Sequence, residues 1–205
     1  MNVNGDEKLN SGKTPKKRVK RLGKDAAYVG VFVALLIASQ LVLSPVPGVE
    51  LVTVLFVTFS FSFGVRKGVL AATVFSLLRQ LVFGFYPQVL VLYLCYFNGL
   101  TALFGCLGKC WKRTPKNLFP LTAVACACTA FFTILDNIVT PLWYGYSARV
   151  FKLYFYASFS VMIPQIVCTA VSVSLLFLPL TGVFERLAPK KGVGGERIPQ
   201  KGERI

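Results

Sequence analysis

The chain has 205 residues, 55% of them hydrophobic, with 23 Lys and Arg against 8 Asp and Glu and no histidine. Soluble domains use apolar residues at about 45–50%, so a mean hydropathy of +0.62, with the charges gathered into tails and short clusters, excludes a soluble enzyme built on one core. The missing histidine removes zincins, Ser/His/Asp and Cys/His catalysis and the usual neutral-pH general base.

Residues 1–25 read as a basic tail. Its cluster Lys16-Lys17-Arg18-Val19-Lys20-Arg21 has the composition of an RNA-binding patch, but beside an apolar run it serves as a topology anchor and lipid contact, so no nucleic-acid partner is expected. The charged stretch is too long for a signal peptide, so the first apolar run is a retained helix.

A helix needs about 20 apolar residues to cross the hydrocarbon, fewer where neighbours shield its ends. Six such runs follow, over residues 26–43, 51–63, 69–83, 87–107, 120–139 and 155–178. A tight Gly64-Val65-Arg66-Lys67-Gly68 turn separates the second from the third. Pro87 and Pro120 open the fourth and fifth, as suits a first helical turn. Pro164 is expected to kink the sixth and free a carbonyl.

Residues 185–205 form a second basic tail, read as disordered from Lys190 onward. Twenty of the 23 basic residues lie in the two tails, at Arg66 and Lys67, and from Lys109 to Lys116; the others are Arg79, Arg149 and Lys152. Every second connection is thus basic, which by the positive-inside rule places both tails on the cytoplasmic side. The expected fold is an all-α integral membrane protein: a compact bundle of six transmembrane helices over residues 26–184, with both termini cytoplasmic.

Polar residues within spans face a bundle interior or cavity. On the fifth span Thr129, Thr133, Asp136, Asn137 and Thr140 share one helical face; on the sixth Ser158, Gln165, Thr169 and Ser172 do. The fourth adds Gln88, Cys95 and Asn98, with Tyr93 and Tyr96 beside them, and the third carries Arg79 and Gln80 near its outer end. The Ser and Thr positions serve packing first, as hydrogen bonds between helices of about 0.6 kcal/mol each. Arg79 and Asp136 either pair with each other, snorkel to the interface, or contact a polar solute arriving from outside, and Glu50 in the first outer loop is a third charged candidate. Arg79, Arg149 and Lys152 on the outer side favour a ligand with a carboxylate or phosphate.

Trp143 belongs to an aromatic-rich outer connection that serves as an interface belt, or else as a lid over a flat ligand. Cysteines 95, 106, 110, 126, 128 and 168 lie mostly in apolar runs and read as reduced packing residues, without a metal site. Gly30, Ala34 and Ala38 form a small-residue ridge on the first helix, a spacing that ordinary packing within the chain also produces.

In order, the Ala34-x-x-x-Ala38 motif, the loop Pro45-Val-Pro-Gly-Val-Glu50-Leu-Val-Thr53, Gly64-x-x-x-Gly68-x-x-x-Ala72 and Arg79-Gln80-x-x-Phe83-Gly84 resemble the substrate-binding S component of an energy-coupling factor (ECF) vitamin transporter, a family of small six-helix bacterial membrane proteins. Val65 and Ala72 stand where that family commonly has Pro and a third Gly. The resemblance implies that Ala34 and Ala38 dock on a T component driven by two ATP-binding subunits. It also implies that a vitamin-like solute binds on the outer side of the cytoplasmic membrane, with no cofactor. The substrate-site expectation comprises Glu50, Arg79, Gln80, Gln88, Tyr96, Asn98, Asp136, Asn137, Trp143 and Gln165. No Gly-x-x-x-x-Gly-Lys-Ser/Thr phosphate loop occurs in the chain, so ATP hydrolysis would fall to partners. The alternatives are a structural or assembly membrane subunit, a membrane-embedded enzyme using Asp136, Glu50 or a cysteine, and a stand-alone secondary transporter.

Overall fold

A computed structural model describes residues 15–46, 49, 51–111 and 114–187. Glu50, residues 1–14 and the segment read as disordered lie outside them. The described chain is helical: α1 (Pro15–Leu43), α2 (Val52–Phe63), α3 (Val65–Phe83), α4 (Pro87–Cys110), a 3-10 turn (Pro115–Asn117), α5 (Leu118–Trp143) and α6 (Ala148–Leu187). Four segments are long and apolar enough to cross a membrane, Asp25–Leu43, Pro87–Cys110, Pro115–Trp143 and Ala148–Phe184, as in a multi-pass membrane protein. α3 is long enough but carries Arg66, Lys67 and Arg79. α2, at 12 residues, reaches only about 18 Å at 1.5 Å per residue.

Apolar patterning located every helix but misplaced several ends. Lys and Arg are good helix formers, so the basic segment ahead of residue 26 continues α1 back to Pro15. α6 begins at Ala148, before the sixth apolar run, and continues unbroken through Pro164 and Pro179. The true stops are glycines in the left-handed region, where a side chain is disfavoured: Gly64 (φ 83°) between α2 and α3, and Gly84 (φ 97°) after α3.

The shortest helix is the centre. Val52 to Ser60 of α2 are all buried, because a helix that is apolar on every side has no solvent-facing stripe to expose. α4 and α6 pack on it most extensively, with α3, α1 and α5 completing the ring. Aromatic rings fill the joints. Phe32 of α1 stacks on Phe59 of α2 at 3.9 Å, and Phe56 meets Phe97 at 4.8 Å and Phe75 at 5.4 Å.

Contacts at the two ends show the helices alternating in direction. At one end Lys67 pairs with Asp25 at 2.7 Å, Phe184 meets Phe63 at 5.9 Å, and a Cβ on Gly108 would lie 2.4 Å from the Phe61 carbonyl oxygen. At the other, Gln40 of α1 and Arg79 of α3 both reach Tyr93 of α4. The basic residues Arg66, Lys67, Lys109 and Arg186 therefore collect at the first end, and Arg79 lies at the second.

Candidate functional site

The polar stripes of α5 and α6 face one another in antiparallel register. Two rungs join them: Thr129 Oγ1 to Thr169 Oγ1 at 3.1 Å, and Thr133 Oγ1 donating to Gln165 Oε1 at 3.0 Å. Ser and Thr on these helices also return hydrogen bonds to their own backbone, as Thr129 does to the Ala125 carbonyl, which satisfies the hydroxyl in an apolar setting.

Beyond the second rung the helices part around a cavity of about 320 Å³, at the small end of the range that takes organic ligands. Phe132, Asp136 and Asn137 line it from α5; Tyr154, Ser158 and Gln165 line it from α6. Phe132 also faces α4, its ring 4.5 Å from Tyr96 and 5.8 Å from Tyr93. The cavity thus lies between α5 and α6, with α4 behind Phe132, at the end opposite the basic cluster.

Asp136 is held in place locally. Thr140 Oγ1 donates to Asp136 Oδ1 at 2.8 Å, and the Tyr154 phenol faces both residues. Among the described residues the ion pair present is Lys67 with Asp25, so Asp136 has no basic partner. Asn137 is only 5% exposed, and among the described residues its amide has no hydrogen-bond partner. One turn on, Pro141 has no N–H to give, so the Asn137 carbonyl loses its usual helical donor.

Of the residues expected from the sequence to bind a solute, Asp136, Asn137 and Gln165 come together here, with Tyr96 behind Phe132. Arg79 does not join them. Its guanidinium lies 4.5 Å from the Tyr93 ring centre and 5.0 Å from that of Phe83, so it rests against aromatic faces rather than pairing with Asp136. Gln80 Oε1 accepts from the Tyr86 backbone N–H at 3.0 Å and so caps the bend between α3 and α4. Gln80 Nε2, Gln88 Oε1 and Arg79 Nε are buried without a partner among the described residues. Thr73 donates to Asn98 Oδ1 at 3.2 Å, tying α3 to α4. Trp143 is exposed at the end of α5, and Glu50 is outside the described residues.

Phe132 has no place in the polar stripes, and Tyr154 is legible in the sequence only as part of the aromatic-rich stretch from Phe151 to Tyr156. Tyr154, Ser158 and Gln165 fall at offsets of 0, 4 and 11 on one helical face, a pattern hidden because α6 starts before its apolar run. Ala34 and Ala38 are exposed, and no side chain of the bundle approaches Gly30 within 4 Å of where a Cβ would stand. Packing among the described residues therefore does not account for that ridge. No known protein family, curated protein or solved structure matches this chain.

Proposed function

We propose that the chain is the substrate-binding component of an ECF-type importer in a bacterial cytoplasmic membrane. In this reading all six helices cross the bilayer and both termini are cytoplasmic. A vitamin-like solute is captured between α4, α5 and α6 on the outer side. It passes inward when the bundle is docked on a T component powered by two ATP-binding subunits.

The observation that carries this reading is the α5–α6 cavity with Asp136, Asn137 and Gln165 at the end away from the basic cluster. A bundle used only for packing gains nothing from separating two polar faces, since buried polar groups are costly unless matched. The gathering of Arg66, Lys67, Lys109 and Arg186 at the opposite end supports the orientation. α2 is too short to span alone, yet it is encased by its neighbours, so its ends meet protein rather than lipid. The exposed ridge of Ala34 and Ala38 supports docking, because small residues let a partner helix approach closely.

Native mass spectrometry of the full chain purified from its source organism tests the binding half. A stoichiometric small molecule that Asn137→Ala releases is expected; protein carrying none, and showing no thermal shift with a vitamin panel, would refute it. Co-purification with the T component and ATPases tests the docking half. Ala38→Leu should leave the melting temperature unchanged and remove the partners; a Leu variant that still co-purifies would exclude this ridge as the docking face.

A further inference from the structure

We infer that the α5–α6 cavity selects a small planar cation, a protonated amine, amidinium or amino-substituted heterocycle, rather than the anionic solute that the basic residues of the sequence suggest. The inference rests on the proposed binding role of this cavity and adds the charge of its occupant. Its basis is the complement of groups at the cavity surface. Among the described residues that line it, Asp136 supplies the one carboxylate, and neither Lys nor Arg is present.

The cations that pointed toward an anion are elsewhere. Arg79 is held between Tyr93 and Phe83 on the α3–α4 side, and Arg149 and Lys152 are exposed in the first turns of α6. Asp136 is half-buried and, among the described residues, has no basic partner; a bound cation would supply the missing countercharge and a bound anion would add a like charge.

The remaining groups suit the same ligand. Asp136 Oδ1 already accepts from Thr140, but a carboxylate has about four acceptor sites, so both oxygens can still take the paired N–H groups of an amidinium. Next to it, the nearly buried Asn137 amide offers an oxygen to further N–H groups and an NH2 to a ring nitrogen. Phe132 and Tyr154 supply aromatic surface, and aromatic faces attract cations and repel anions. At about 320 Å³ the space takes one or two small rings, not a dinucleotide-sized molecule.

Three probes of one skeleton isolate charge from shape: benzamidinium, benzamide and benzoate. Each would be titrated by ligand-observed NMR into the full-length protein in nanodiscs of zwitterionic lipid, with protein-free nanodiscs as the blank. The expected order is benzamidinium, then benzamide, then benzoate. Asp136→Asn, which keeps an acceptor for Thr140, should lower the benzamidinium-to-benzamide preference by roughly ten- to hundredfold, the range for a charged hydrogen bond. Asp136→Glu should retain part of it, so a misfolded Asn variant cannot pass for a lost contact.

Benzoate bound as well as benzamidinium, and released by Asn137→Ala, would overturn the assigned charge while leaving a solute cavity in place. A preference for benzamidinium that survives Asp136→Asn would place the cation elsewhere and also overturn the inference. No binding of any probe at millimolar concentration, together with protein that carries no co-purified molecule, would overturn both the inference and the function on which it rests.

Discussion

Two glycines of α4 should respond in opposite directions to the same substitution. A Cβ on Gly108 would lie 2.4 Å from the Phe61 carbonyl oxygen and 2.9 Å from its Cα, whereas a Cβ on Gly99 meets nothing within 4 Å. Ala is intrinsically better than Gly inside a helix by about 0.8–1.0 kcal/mol. Gly99→Ala should therefore stabilise by up to that amount. Gly108→Ala gains the same term but drives a methyl group into the backbone of α2, which cannot yield as a flexible side-chain tip would. Overpacking of a tight site costs about 1–3 kcal/mol, and contacts this short fall at the upper end. The net change is a destabilisation of about 1–2 kcal/mol, or roughly 2–8 °C in melting temperature for a chain of this size. Trp111, packed against the core one turn from Gly108, gives a fluorescence readout of thermal unfolding in detergent. Gly105→Ala, whose Cβ would stand 2.6 Å from the Val65 backbone nitrogen, should behave like Gly108→Ala. If Gly108→Ala melted at or above Gly99→Ala, the close seating of α4 on the α2–α3 corner would be refuted.

The other substitutions separate packing from binding. Phe56→Ala removes a fully buried ring that touches Phe32, Phe75 and Phe97 and should lower stability by about 3–5 kcal/mol; a smaller loss in chemical denaturation would mean that α2 is not the centre of the bundle. Thr133→Val and Gln165→Leu, alone and together, should give a coupling energy near 0.6 kcal/mol and below about 1.7 kcal/mol, read as a double-mutant cycle in melting midpoints. A zero coupling would show that the rung between α5 and α6 does not form. Arg79→Gln removes the stacking on Tyr93 and Phe83 and should lower the melting midpoint while leaving solute affinity within about twofold, since the cation–π contact is worth about 0.5–2 kcal/mol and lies outside the cavity. Loss of binding in a still-folded Arg79→Gln protein would return Arg79 to the solute site.

The sequence carried the helices and the polar stripes because both follow from short-range periodicity. Thr129, Thr133, Asp136 and Asn137 share a face by the 3.6-residue repeat alone, and their partners Gln165 and Thr169 share one by the same rule. Which stripes meet is a different kind of fact. Arg79 and Asp136 looked like natural partners because each is a charge in an apolar run. Their separation depends on Tyr93 of α4, whose ring takes up Arg79, and on Thr140, which anchors Asp136 within its own helix. No local pattern encodes that choice, since a guanidinium can rest on an aromatic face or hydrogen-bond to a carboxylate, and the sequence does not say which it meets. Hydropathy also hid where α6 begins, and with it Tyr154, because Ala148 to Tyr154 includes Arg149 and Lys152 at the helix start. A basic residue beside an apolar run signals which side of a membrane it faces, and it forms helix readily, so it marks the limit of the apolar run without marking the end of the helix. Chain order and packing also point to ligands of opposite charge. Counted along the chain, Arg79, Arg149 and Lys152 dominate this end of the bundle; among the described residues that line the cavity, Asp136 is the one carboxylate, with no Lys or Arg beside it, and that sorting requires the packing of α5 against α6.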